Sequence, residues 1–267
     1  MEELRKKARE LLERGAVKVV IGYGPGSAAR TRAVFVRKPE DADQLILNDQ
    51  CTQNLSVYLT KPEVKTLGKP AIVAHLAGLR SLVQLAAENQ IADGQVMAIG
   101  VSPEGKLAEL PDLKAVEAYL AGFRFELSPE EKAELDKIER MTAQERWKFW
   151  QEQLARCLKC YACRAACPLC YCERCLAGNN QPQWIPVASH QTGNLEWHLI
   201  RAMHLAGRCI GCGNCERACP VGIPLSLVTH KLGEEVFKNF GGRPGLSSQQ
   251  EYALGSWKLE DKENFIG

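Results

Sequence analysis

"CLKCYACRAACP", residues 157–168, recurs as "CIGCGNCERACP", residues 209–220, and both copies have the form C-x2-C-x2-C-x3-C-P. A cube of iron and sulfide needs four thiolates converging from different directions, and two-residue gaps let one tight loop supply three of them. In two-cluster sequences of this spacing, the fourth cysteine, before the proline, reaches the other cluster. The repeat therefore assigns Cys157, Cys160, Cys163 and Cys219 to one 4Fe-4S cluster, and Cys209, Cys212, Cys215 and Cys167 to a second. A lone C-x2-C pair would suit zinc equally well; two full copies closed by proline argue against zinc. Gly211 and Gly213 suit left-handed turns around a cluster. The exchanged fourth ligand ties the two loops together, so folding is expected to depend on metal. The implied unit is a bacterial-type dicluster ferredoxin module over residues 157–240, with a helical insertion over 168–208 and helical flanks.

The chain has 12 cysteines, and the two repeats use eight. Directly behind the first repeat, "CPLCYCERC" (167–175) adds Cys170, Cys172 and Cys175, and the last, Cys51, lies in "LNDQCTQNLS". Three thiolates from one short loop, completed by Cys51, would hold a third 4Fe-4S cluster and staple the N-terminal region to the module. In the alternative, Cys51 is a small buried hydrophobe and the loop cysteines hold zinc or nothing. The insertion carries "NLEWHLIRAMHLAG", a helix with Trp197, His198 and His204. Packing and surface polarity account for these residues; ligation of a cluster by histidine is the other reading.

Residues 1–125 alternate between helical and extended patterns, which implies a small α/β domain with a mainly parallel sheet. Strands are expected at 16–24, 31–39, 69–74 and 95–102, and helices at the N-terminus, 41–60, 75–90 and 112–122. Gly22, Gly24 and Gly26 follow the first strand and suggest a phosphate or flavin (FAD) cradle. The third spaced glycine of a dinucleotide motif is missing, and a tight turn explains the same residues. Two linker helices follow over 126–156. Each opens on a capping box, Ser128 with Glu131 and Thr142 with Glu145, and the second bears Trp147, Phe149 and Trp150, read as packing residues. Residues 241–267 form an extended tail, a candidate for wrapping around a partner or for disorder.

Of 267 residues 45% are hydrophobic, enough for a sizeable core. No apolar run is long enough to span a membrane, and "MEELRKKARELLERG" has no apolar leader. The expected compartment is the cytoplasm, where a cysteine-rich pattern signals metal rather than disulfides. The formal charge of +2 shifts negative once clusters of about −2 each are counted, so it carries no nucleic-acid inference.

Three stretches, "VVIGYGPGS" (19–27), "LILNDQCTQNLSVYL" (45–59) and "KCYACRAACPLCYCERC" (159–175), resemble the iron-sulfur beta subunits of deazaflavin-reducing hydrogenases and formate dehydrogenases, which are associated with heterodisulfide-reductase-type modules. The resemblance implies an electron-transfer subunit that works with other subunits of a redox complex. Better known members of that group also bind a flavin and reduce the deazaflavin coenzyme. Two other functions are weighed: a reductase whose clusters feed a flavin on the N-terminal domain, and an iron-sulfur redox sensor.

Overall fold

The computed structural model describes residues 1–176 and 182–251. Its first half is an α/β unit. Helix α1 (Glu2–Glu13) buries Leu4, Ala8 and Leu11, one face at helical spacing. Strands β1 (Val19–Pro25), β2 (Thr31–Val36), β3 (Pro70–His75), β4 (Met97–Val101) and β5 (Leu107–Leu110) form one sheet in the order β2-β1-β3-β4-β5. β1, β3 and β4 are parallel, while β2 and β5 pair antiparallel at the two edges.

The sheet is thus mixed rather than mainly parallel, and the connections explain why. Gly26 N–H bonds the Arg30 carbonyl at 2.8 Å and Ser102 N–H the Lys106 carbonyl at 2.9 Å. Turns this short can only return a strand beside its predecessor, whereas a parallel neighbour needs a crossover of a dozen residues or more. Helix α3 (Leu76–Ala87) supplies such a crossover between β3 and β4. Every residue of β4, and Val19–Gly24 and Ala71–Ala74 of β1 and β3, is buried, so both faces of the central sheet are covered. Each fully buried aliphatic side chain there stabilises the fold by about 1.5–3 kcal/mol.

The stretch 41–60 is not one helix. It forms two 3-10 turns, Pro39–Gln44 and Leu55–Tyr58, separated by the loop that carries Cys51. Between them and β3 lies the short helix α2 (Pro62–Lys65). Asp112 caps α4 (Leu113–Leu120) through the Ala115 N–H. Helices α5 (Pro129–Glu139) and α6 (Ala143–Ala155) open on both capping boxes. Phe149 and Trp150 pack with Leu135, Ile138 and Leu227, while Trp147 is about half exposed.

The cysteine-rich half adds α7 (Ala162–Ala165), α8 (Gln191–His204), α9 (Asn214–Arg217) and α10 (Leu225–Phe240). α7 and α9 sit at equivalent places in the two repeats and pack on each other. α8 packs on α6, and α10 reaches α5, α8 and α9. The first part of the tail lies on the chain's own α/β unit. Gly245 N–H bonds Gln84, Ser248 N–H bonds Glu117, and the Pro244 carbonyl accepts from Arg80. The rest of the tail, 252–267, lies outside the described residues, as does part of the loop that precedes Trp184.

The halves are joined by buried polar contacts. Glu88, at the C-terminal end of α3, receives Arg208 in a two-pronged pair, 2.8 Å from Nε to Oε1 and 2.5 Å from Nη2 to Oε2. Gln84 and the Tyr171 hydroxyl also donate to this carboxylate. The Glu88 side chain is 1% exposed and that of Arg208 13%. Removing one member of such a pair strands a buried charge. Glu88→Ala is expected to cost about 3–5 kcal/mol, measured by anaerobic urea unfolding; a loss under about 1 kcal/mol, the range of an exposed pair, would contradict a buried role for this contact.

Candidate metal centres

The two cysteine loops have matching backbones. Lys159 and Tyr161 in the first repeat stand where Gly211 and Gly213 stand in the second, and all four adopt positive φ, 55°, 56°, 71° and 67°. Glycine takes this conformation freely; other residues do so at a cost of about 1–2 kcal/mol. Side-chain contacts offset that cost in the first repeat. Lys159 Nζ is buried and donates to the carbonyls of Pro186 and Gly193, both at 2.8 Å. The Tyr161 ring meets Trp197 edge-on, with centroids 4.9 Å apart.

The tight turns aim backbone N–H groups at sulfur. Lys159 N–H lies 3.3 Å from Cys157 Sγ. Gly211 N–H serves Cys209 in the same place, and Asn214 N–H serves Cys212. Burial pushes the Cys209 and Cys212 thiols up, and these N–H donors oppose it. Burial likewise pushes Cys163 up to about 11, with Arg201 pulling the other way.

Cys157, Cys160, Cys163 and Cys219 line one cavity, so the fourth cysteine of the second repeat stands with the first three of the first. Cys167 lies within electrostatic reach of Cys209, as Cys209 does of Cys212 and Cys212 of Cys215. Cys157, Cys163 and Cys215 share a small core with Leu154, Trp197 and Ile223, whereas Cys167, Cys209 and Cys212 pack against the α/β core. Cys160 is exposed beside the 61% exposed Leu158, so the first set opens outward.

α8 forms a wall common to these sites. Trp197 is 1% exposed, and His198 faces the cavity of the first set. Burial, reinforced by Arg201 and Lys159, lowers His198 to about 4 and keeps its ring neutral. Arg201 is buried and donates to the Cys163 carbonyl at 3.1 Å. Its burial opposes the charge, but the thiols of Cys170, Cys167, Cys215 and Cys163 outweigh this and hold the guanidinium above its ordinary value. Sequence reading did not single out Arg201, since a charged residue on a polar helix stretch looks like a solvated face.

Among the described residues, four buried donors or ring nitrogens beside the cysteines lack a partner: Arg80 Nε, His198 Nε2, Arg201 Nε and His230 Nδ1. Arg80 neighbours Cys209 and Cys212, and the His230 ring abuts Gly211. Orphaned buried groups are rare in folded chains, and a cluster's sulfides and thiolates are the acceptors that would satisfy them. The donor set therefore fits iron-sulfur clusters.

Cys51 is buried in its own loop, where its sulfur meets Asn48 N–H at 3.4 Å and the Ile46 carbonyl at 3.8 Å. That loop docks on the second repeat. Asn54 N–H bonds Asn214 Oδ1 at 3.1 Å, and Arg217 donates to the Thr52 carbonyl at 3.0 Å. Asn214 also donates to the Ala166 carbonyl, linking both repeats to the α/β unit. Cys170, Cys172 and Cys175 line a different cavity, whose walls do not include Cys51.

Gly22, Gly24 and Gly26 sit in tight surroundings. β1 runs into a hairpin and not into a helix N-terminus, a ready-made phosphate site. A Cβ would strike Leu45 at Gly22, Val34 at Gly24, and the Arg30 carbonyl oxygen, at 2.9 Å, at Gly26. All three glycines serve close packing.

Residues 205–224 match the 4Fe-4S binding domain family. Over 106 residues the chain is 37% identical to the F420-dependent formate dehydrogenase subunit beta of Methanocaldococcus jannaschii. It is 35% identical over 106 residues to the F420-dependent formate dehydrogenase 1 subunit beta of Methanococcus maripaludis. The matched stretch is 39–40% of this chain and 26–27% of those proteins, so the similarity spans about a quarter of the relatives' length. Among the described residues no helix is long and apolar enough to cross a membrane.

Gly211→Ala is expected to destabilise the chain by about 1–2 kcal/mol, the left-handed penalty, with a further clash because the new Cβ would lie 3.1 Å from His230 Nε2. Anaerobic thermal unfolding measures it. An unchanged midpoint would show that the turn does not constrain this position.

Proposed function

We propose that this chain is a cytoplasmic electron-relay subunit of a multi-subunit oxidoreductase, holding two 4Fe-4S clusters in a ferredoxin-like module and a third beside it. The observation that carries the reading is the crosswise meeting of Cys219 with Cys157, Cys160 and Cys163 in one cavity, the arrangement that the repeat's spacing calls for. Zinc is disfavoured by the repeat itself, since two full copies of C-x2-C-x2-C-x3-C-P have the spacing of cluster ligands.

When bound, the clusters exchange single electrons. The chain's own residues set the conditions for that exchange. The N–H groups of Lys159, Gly211 and Asn214 bond ligand sulfurs, which stabilises the thiolate form. The buried cations Lys159 and Arg201 favour the more negatively charged, reduced state. Trp197, Leu154 and Ile223 keep water from the inner side of the first set. Exposed Cys160 and Leu158 place an edge of that set at the surface, where an electron can enter or leave toward another protein. The relatives' names place them as beta subunits of formate dehydrogenases, and the proposed partners are other subunits of such a complex. A flavin on this chain has no support from the β1 hairpin.

Iron and acid-labile sulfide per chain, measured on anaerobically purified variants, test the ligand exchange. Cys157→Ser and Cys219→Ser are each expected to remove about four irons, as is their combination, because both hold one cluster. Combining Cys219→Ser with Cys209→Ser is expected to remove about eight. The opposite pattern, with Cys219 and Cys209 behaving as one site, would overturn the crosswise assignment.

A further inference from the structure

The loop behind the first repeat opens onto a cavity of about 290 Å³. Cys170, Cys172 and Cys175 line it, together with Trp197, Arg201 and His204 of α8 and with Arg208. Arg201 and His204 stand three residues apart at the C-terminal end of α8, which places them on one side of the helix, and Arg208 follows in the turn behind it. His204, the last residue of α8 and exposed, lines the same cavity as the three thiols. Cys51 does not reach it: its sulfur contacts Asn48 and Ile46 in a loop docked on the second repeat.

Charge points to an anionic occupant. Arg201 is buried beside Cys170. Arg164 also lines the cavity and donates to the Cys172 carbonyl at 3.0 Å. A 4Fe-4S core held by three thiolates and one neutral imidazole carries a net charge of about −1. At about 290 Å³ the cavity has room for more than a single ion.

Resting on the electron-relay reading, we infer that this cavity is a third iron-sulfur site whose ligands are Cys170, Cys172, Cys175 and His204, with Arg201 and Arg164 balancing its charge. Cys51 is then a packing residue. Replacing one thiolate by imidazole removes a negative charge from the cluster and raises its potential.

The test uses the full-length protein, purified anaerobically. Iron, sulfide and zinc are counted for the native chain and for Cys51→Ser, Cys172→Ser, His204→Ala and His204→Cys, and the reduced samples are examined by pulsed electron paramagnetic resonance. The native chain is expected to hold about twelve irons, and Cys51→Ser to retain them. Cys172→Ser is expected to lose about four. A strong nitrogen-14 coupling is expected in the native protein and absent from His204→Ala. His204→Cys, a variant that keeps a fourth donor, is expected to retain iron but lose the nitrogen coupling, with a lower midpoint potential for one cluster. Loss of four irons in Cys51→Ser with His204→Ala unaffected would overturn the assignment. Eight irons with one zinc per native chain would also overturn it while leaving the ferredoxin pair intact. Fewer than eight irons would remove the electron-relay reading itself and this inference with it.

Discussion

Thiolates cannot be buried in numbers without cations to balance them, and here one guanidinium meets that constraint for several sets at once. Arg201 is 6% exposed and stands among Cys163, Cys167, Cys170 and Cys215, drawn from both repeats and from the loop between them. It is held by the Cys163 carbonyl and by its place on α8. That helix also supplies Trp197 to the core of the first set and His198 to its cavity. The insertion between the repeats is therefore a shared inner wall, and the two cysteine loops are built around it.

A second constraint joins this half to the α/β unit. The loop around Cys51 docks on the second repeat through Asn54, Asn214 and Arg217, while Glu88 at the end of α3 holds Arg208 and Tyr171. Arg80, also on α3, donates to the Ile210 carbonyl within the second cysteine loop. One helix of the sheet domain thus touches the second set directly. The result is an asymmetric arrangement: Cys167, Cys209 and Cys212 of the second set are packed against the α/β core, and the first set opens to the surface at Cys160 and Leu158.

Legibility in the sequence follows the physics of each feature. The crosswise meeting of Cys219 with the first repeat was readable because the spacing calls for it, and the capping boxes at Ser128 and Thr142 because two local hydrogen bonds fix them. The left-handed Gly211 and Gly213 were readable for the same reason. Their counterparts Lys159 and Tyr161 were not, since their conformation depends on Pro186, Gly193 and Trp197 far along the chain. Four of the five strands stood out as apolar runs; β5, "LAEL", is a four-residue edge strand with little pattern of its own. Glu88, Arg201 and Arg208 gave no signal because charge is ordinarily a mark of the surface. Gly22 and Gly24 suggested a ligand turn, yet contacts with Leu45 and Val34 account for them.

The crosswise sharing of cysteines between the repeats is the centre of this account, and anomalous X-ray diffraction at the iron edge from anaerobically grown crystals addresses it most directly. The account predicts one iron peak enclosed by Cys157, Cys160, Cys163 and Cys219, and another by Cys209, Cys212, Cys215 and Cys167. Iron enclosed by the four cysteines of a single repeat, Cys157, Cys160, Cys163 and Cys167, would contradict it.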